Sequence, residues 1–330
     1  MAKVLLKSLF PEGSNAWKLA PYTAFRQSAE KSAHELVSDP EEADIIFFTD
    51  EGLHPVTDSF NNSLYQRYWH KCFIFSQNDF PIPLLPGLYA SLRKSEYDHS
   101  WCRTGSYVWD CPAPDSQIVF TRYDQIPFPR NPEYLCSFAG SCQNAAIRQR
   151  LKELQHPRYV VRDVNRDTIT ADTLGDKEWI NKLHEQYMTL IGNSSFSLCP
   201  RGNGTNSFRL YESMAMGRAP VILADDWVAP REIPWDKFSI RIAERDYKSI
   251  FQVLEQEEYR AGELGEKARQ IWEQHFHPDK AFDQAVDAFL DMRALGKTSQ
   301  RHRHWLRLMR VLPKITKHKL HGLKLRLVKR

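Results

Sequence analysis

The chain has no uninterrupted apolar run of even about 18 residues, which excludes a helix able to span a hydrocarbon core. Its first residues, MAKVLLKSLFPEG, hold an apolar stretch too short and too quickly interrupted for a secretion signal, so the expected compartment is the cytoplasm. Cysteine is scarce and scattered. The six, at 72, 102, 111, 136, 142 and 199, show neither CxxC spacing nor clustering with His, which excludes a zinc ribbon or finger. In a reducing compartment they are free thiols, and Cys102 with Cys111 is the pair that could close a small loop under oxidising conditions. Internal repeats are absent, and so is any acidic residue between Lys297 and Arg330.

What is present describes a folded protein of ordinary make-up. A length of 330 residues is about twice a typical domain, so two cores are expected. A content of 42% apolar, 12% aromatic and 26% charged residues is too hydrophobic for disorder. The acid-free tail carries 12 Lys or Arg and leaves the rest of the chain with a net charge of −8. Trp305, Leu306, Met309, Leu312, Ile315, Leu320, Leu323, Leu325 and Val328 are interspersed with those cations, while Pro313 and Gly322 confine any helix to short pieces. Such a segment can lie on an anionic membrane surface, each cation contributing about 1 kcal/mol. Packing on the acidic body and disorder are its alternative fates, and nucleic acid is not the expected partner.

Strand and helix signals alternate along the chain. The runs at 4–10, 43–50 and 71–79 are continuously apolar, which marks strands buried on both faces of a parallel sheet. Helical patterns at 22–37 and 59–70 separate them, and a Pro-, Gly- and Trp-rich region from 81 to 114 leads to a further strand at 116–124. IPFPRNPEY, at 126–134, has three prolines in nine residues and reads as a linker. Beyond it, strands at 135–141, 158–164, 195–200, 219–226 and 237–243 alternate with helical stretches at 143–155, 178–191 and 207–217. Helical stretches at 246–255, 257–275 and 279–294 close the pattern. The fold class is therefore α/β, with two Rossmann-like doubly wound domains, 1–130 and 131–296, facing a cleft, and a basic tail at 297–330. This is similar to the GT-B arrangement of many glycosyltransferases.

Chemistry concentrates in SFSLCPRGNGTNSFRLYESM. A strand ends at Pro200, a loop with Gly202 and Gly204 follows, and a helix begins near Ser207, a good N-cap residue. Glycines let main-chain amides approach an anion at a helix start, so a diphosphate fits here. Arg201 and Arg209 can add charge-assisted bidentate contacts. Glu212, three residues after Arg209 on the same helix face, suits ribose hydroxyls better than phosphate. A surface ion pair is the alternative for Arg209 with Glu212. Asp225 and Asp226 follow a strand and could hold a divalent ion. A diphosphate neutralised by helix dipole and arginines needs none, which leaves the two acids for sugar hydroxyls and no cofactor or metal required.

PRG, then SFR, then the glutamate three residues on, then MGRAPVILADDW, resembles the sugar-nucleotide motif of the exostosin family of glycosyltransferases. WVAPREIPWDKFSIRI continues the likeness, and CSFAGSCQNAAIRQRL is similar to the family's strand-loop-helix carrying an arginine, here Arg148. The resemblance covers about 136–243. It implies Arg201 and Arg209 at the diphosphate and Glu212 at the ribose. Gly140 and Ser141 would line the cleft, with Arg148 as a further phosphate contact. It also implies an inverting enzyme using a UDP-sugar in polysaccharide or glycan synthesis. The want of a signal anchor and lumenal stem suggests a bacterial-type cytoplasmic member, peripheral on the membrane's inner face.

An inverting transfer needs a general base. Asp79, after the strand 71–79 and before the prolines of FPIPLLPG, is the first choice, with Glu51 and His54 as alternatives and a turn-capping role as the competing use of Asp79. The expected partners are a nucleotide-sugar donor and a glycan or lipid-linked acceptor. Two other readings remain: a catalytically silent sugar-nucleotide-binding partner of another transferase, and a fucosyltransferase-like enzyme with a GDP donor.

Overall fold

A computed structural model describes residues 1–10, 16–50, 62–108, 129, 131–164 and 177–296. The chain divides into two compact units, Met1–Gly105 with Phe282 onward, and Ser106–Ala281.

The first unit is built on β1 (Lys3–Ser8), β2 (Glu35–Leu36), β3 (Ile45–Asp50), β4 (Cys72–Ser76), β5 (Gly87–Tyr89) and β6 (Cys102–Thr104), all parallel, in the order β2-β1-β3-β4-β5-β6. Helices α1 (Ala16–Ala29) and α2 (Ser63–Tyr68) connect its early strands. Both sheet faces are covered, which is why its central strands are apolar without alternation. On one face Phe47 meets Phe25 at 4.7 Å and Phe289 at 4.9 Å between ring centroids. On the other, Ile46, Phe48 and Ile74 pack with Tyr65, Tyr68 and Leu84. Each such aromatic pair adds about 0.5–1.5 kcal/mol beyond its area term.

The helix expected at 22–37 ends at Ala29 instead. Glu35 N–H bonds Ala2 O at 2.9 Å and Val37 N–H bonds Val4 O at 3.0 Å, so that stretch becomes an edge strand beside β1. Strands β5 and β6, three residues each, lie in the Pro- and Gly-rich region where no strand was expected. The strand expected at 116–124 lies outside the described residues, as do part of the expected linker, Cys111 and the basic tail. The Cys102 thiol donates to Glu96 O at 2.8 Å.

The second unit contains β7 (Tyr134–Ala139), α3 (Ala146–Glu153), β8 (Tyr159–Arg162), α4 (Lys177–Gly192), β9 (Ser194–Pro200), α5 (Phe208–Ala215), β10 (Ala219–Leu223) and β11 (Ile240–Arg241). After them come α6 (Ile250–Glu257) and α7 (Ala261–His275). Its sheet runs β11-β10-β9-β7-β8, all parallel. Counted from β7, that is the 2-1-3-4-5 order of a doubly wound sheet, and its topological switch point falls between the carboxyl ends of β7 and β9.

The last described helix, α8 (Ala281–Leu295), leaves the second unit. From Phe282 on it belongs to the first, where an uninterrupted second domain to 296 was expected. Phe289 stacks on Phe73 at 5.0 Å, His34 Nε2 lies 3.2 Å from Asp287, and Arg293 donates to Asp44 O at 2.8 Å. Its amphipathic stripe states only that one face is buried; partner rings on β3 and β4 decide which core receives it. Among the described residues no helix is long and apolar enough to cross a membrane.

Candidate donor site

The site is assembled at the switch point of the second sheet. Strand β7 ends in Ala139, and Gly140 follows with φ +155°, a conformation that disfavours any side chain. Glycine is needed there for a second reason: a Cβ would stand 2.6 Å from Cζ of Arg209. Strand β9 delivers Pro200, Arg201 and Gly202 opposite, and Gly202 N–H closes the loop onto Asn206 O at 3.0 Å. Ser207 is the N-cap of α5, but its hydroxyl makes no bond to a first-turn amide. Helix α5 stops in a Schellman motif: Arg218 N–H bonds Ser213 O at 2.9 Å, and Gly217 N–H, at φ +64°, bonds Met214 O at 3.0 Å. Arg218 is fully buried against carbonyl ends of α4 and α5, donating to Gly192 O at 3.1 Å and Met216 O at 2.9 Å. Burial pulls its guanidinium down to about 10.

Arg209 is the central group. Its Cζ lies 5.3 Å from the ring centroid of Phe138 and 5.4 Å from that of Tyr187. Two ring faces each contribute about 0.5–2 kcal/mol to holding a guanidinium. Its Nε is buried and bonds nothing. A buried donor left unpaired costs about 1–3 kcal/mol, so this position favours an incoming acceptor. The expected alternative of an Arg209–Glu212 ion pair is not what forms. Instead Tyr187, on α4, donates its hydroxyl to Glu212 Oε2. Burial pushes the Tyr187 phenol well above its ordinary range, Glu212 adds to that and Arg209 opposes it, so the hydroxyl stays protonated and donates. His184, one turn earlier, is lowered by burial against an opposing effect of Glu212.

Arg148, expected as a further phosphate contact, is 5% exposed and faces inward on the same side of α3 as Leu151. Its Nε donates to Arg201 O at 2.8 Å, one terminal nitrogen to Ser141 O at 3.2 Å, and the other to Pro200 O at 3.1 Å and Ser207 Oγ at 3.5 Å. It clasps the two loops of the switch point together through main-chain carbonyls of both. Arg201 is half-buried and paired: Nε donates to Glu244 Oε1 at 2.9 Å. The same oxygen accepts from Asp225 N–H at 3.2 Å, and Asp225 Oδ1 accepts from Glu244 N–H at 3.1 Å. Ser141 Oγ turns to Asn144 Oδ1 at 3.0 Å. Asp226 is exposed in the turn after β10.

Gly140, Ser141, Arg201, Gly202, Ser207, Arg209 and Glu212 thus belong to the loops and helix at one switch point, with Asp225 joined to them through Glu244. Asp79 belongs to the first unit, after β4, and Glu51 and His54 lie outside the described residues. Among the described residues no three His, Cys, Asp or Glu side chains cluster as metal ligands. Glu244, Tyr187 and His184 were missed. Glu244 had a signal, since it follows a strand at the carboxyl edge; the two α4 residues had none, because a crossover helix does not announce which face meets the next helix. A pocket of about 540 Å³ lined by Glu133, Arg162, Lys182 and Glu185 among others contains none of the expected site residues.

The second unit is thus a doubly wound α/β domain with a basic strand-loop-helix at its switch point. The family model described as the Exostosin GT47 domain matches residues 92–256, half of the chain. The chain belongs to the exostosin GT47 family of glycosyltransferases. It is 38% identical over 91 residues to the exostosin-1 homolog of Caenorhabditis elegans, covering 27% of this chain and 24% of that protein. It is 41% identical over 71 residues to a probable glucuronoxylan glucuronosyltransferase of Arabidopsis thaliana, 21% of this chain and 16% of that one. The matched stretch is thus a quarter or less of those relatives. Among solved structures, HepE of Anabaena in complex with UDP-glucose is 11% identical, with 88% of this chain and 100% of that chain covered at a TM-score of 0.43, too slight a likeness to bear on function.

Proposed function

We propose that the protein is an inverting glycosyltransferase that binds a UDP-sugar on its second unit and transfers the sugar to a glycan or lipid-linked acceptor. One observation carries the reading: the Arg209 guanidinium is held over Gly140 between two aromatic rings with its buried Nε unpaired. Such a group is preorganised for the oxygens of a diphosphate, where charge grows as the sugar leaves. The open start of α5 adds its dipole. Glu212 accepts from ribose hydroxyls through the oxygen that Tyr187 does not occupy. Arg201, restrained by Glu244, contributes long-range positive charge and its remaining donors.

In the reaction an acceptor hydroxyl gives its proton to the base as its oxygen bonds to the anomeric carbon. The bond from that carbon to the diphosphate oxygen breaks in the same displacement, and UDP departs with the electron pair. The base is assigned to Asp79, with Glu51 and His54 as alternatives. That relatives are named a probable glucuronosyltransferase and a probable xylosyltransferase supports a nucleotide-sugar donor, for which UDP is our choice of nucleotide. Turnover of a panel of UDP- and GDP-sugars, with UDP and GDP compared as ligands in a thermal-shift assay, tests this. Stabilisation by UDP together with UDP-sugar hydrolysis supports the reading. A response to GDP alone moves the donor assignment to the fucosyltransferase-like alternative, and binding without any turnover leaves a silent sugar-nucleotide-binding protein.

A further inference from the structure

We infer that Tyr187 is a positioning residue of the donor site: its hydroxyl holds Glu212 off Arg209, so that both charges stay available to a nucleoside diphosphate. This rests on the reading of Arg209 and Glu212 given above. The problem it solves is built into the helix. Residues three apart on α5 face the same way, and opposite charges at that spacing attract each other. Left alone, Arg209 and Glu212 would close into an ion pair at the mouth of the site. That pair would have to be broken before a diphosphate could bind.

In the structure the pair does not form, and one side chain from another helix touches both members. The Tyr187 hydroxyl donates to Glu212 Oε2, and its ring lies 5.4 Å from Arg209 Cζ. The ring fixes the guanidinium from one side while Phe138, at 5.3 Å, also packs against it. The hydroxyl fixes the carboxylate. The other charged or titratable groups near this contact do not replace Tyr187. His184, on the same helix, is kept toward its neutral form by burial, and Arg148 is committed to the carbonyls of Ser141, Pro200 and Arg201. Helix α4 is itself anchored at its carboxyl end, where Gly192 O accepts from buried Arg218, so the position of Tyr187 is set by the core rather than by a loop.

The test is a double-mutant cycle read by titration with UDP. Tyr187→Phe keeps the ring and removes the hydroxyl; Glu212→Gln removes the charge that the hydroxyl restrains. Tyr187→Phe should raise the Kd for UDP about tenfold, the size of one charged hydrogen bond. The same substitution should have little effect on Kd in the Glu212→Gln background, because no carboxylate is then free to capture Arg209. A crystal structure of ligand-free Tyr187→Phe should place the Glu212 carboxylate on Arg209. A structural role alone would instead raise Kd equally in both backgrounds, and that additive result overturns the inference. So does an unchanged Kd in Tyr187→Phe. Absence of UDP binding by the wild-type protein would overturn the site reading and this inference together, which separates that failure from failure of the Tyr187 role alone.

Discussion

Replacing Arg148 separates a loop clasp from a phosphate ligand. Arg148→Ala removes four hydrogen bonds, three of them to the main-chain carbonyls of Ser141, Pro200 and Arg201. A hydrogen bond to a charged group is worth about 1.5–3 kcal/mol, but the four are not additive and water can return to some carbonyls. A loss of about 3–5 kcal/mol is therefore expected, in the range seen when one partner of a buried charged contact is deleted. For a unit the size of Ser106–Ala281, each kcal/mol moves the melting point by about 2–4 °C, so a fall on the order of 10 °C should follow. Arg148→Lys should not rescue it, because a single ammonium cannot span both loops. The assay is thermal unfolding followed by UDP titration well below both midpoints. Should Arg148→Ala melt like the wild type and yet lose UDP, Arg148 touches the ligand directly and the clasp is wrong.

Gly140→Ala puts a methyl 2.6 Å from Arg209 Cζ at a φ of +155°, so UDP binding should weaken by more than about tenfold. Any loss of stability should be partly relieved in an Arg209→Ala background, and equal melting shifts in both backgrounds would contradict the contact. His184 has a folded-state pKa below its ordinary 6.5, so the unfolded chain takes up its proton first and stability falls as pH drops through about 6.5 toward the folded value. His184→Gln should flatten that part of the melting-point profile, and an unchanged profile would refute the assignment. Truncation after Gly296 keeps α8 and removes 12 cations, so binding to anionic vesicles should disappear with the melting point little changed. Vesicle binding that survives truncation would exclude the tail as a membrane anchor.

Much of the fold was legible because parallel strands buried on both faces leave continuous apolar runs. IIFF in β3, CFIF in β4 and APVIL in β10 could be read directly. Strands β5 and β6 could not, since three residues between turns carry no period. The destination of α8 was also hidden, because Phe282 and Phe289 mark a buried face without naming the rings that receive it. At the site, the glycine loop, Ser207, Arg209 and Glu212 were legible from the strand-loop-helix spacing. What Arg148 does was not. The structure puts it beside Ile147 and Leu151 on a buried face, and the carbonyls at the ends of β7 and β9 explain why a cation belongs there.

Whether Arg209 receives a diphosphate at the switch point of the second sheet is decided by titrating UDP into wild-type protein and Arg209→Ala by calorimetry. Binding by the wild type is expected, with a Kd raised about ten- to a hundredfold by the substitution, the equivalent of about 1.5–3 kcal/mol for one charge-assisted contact. Equal affinity of the two proteins for UDP would contradict it.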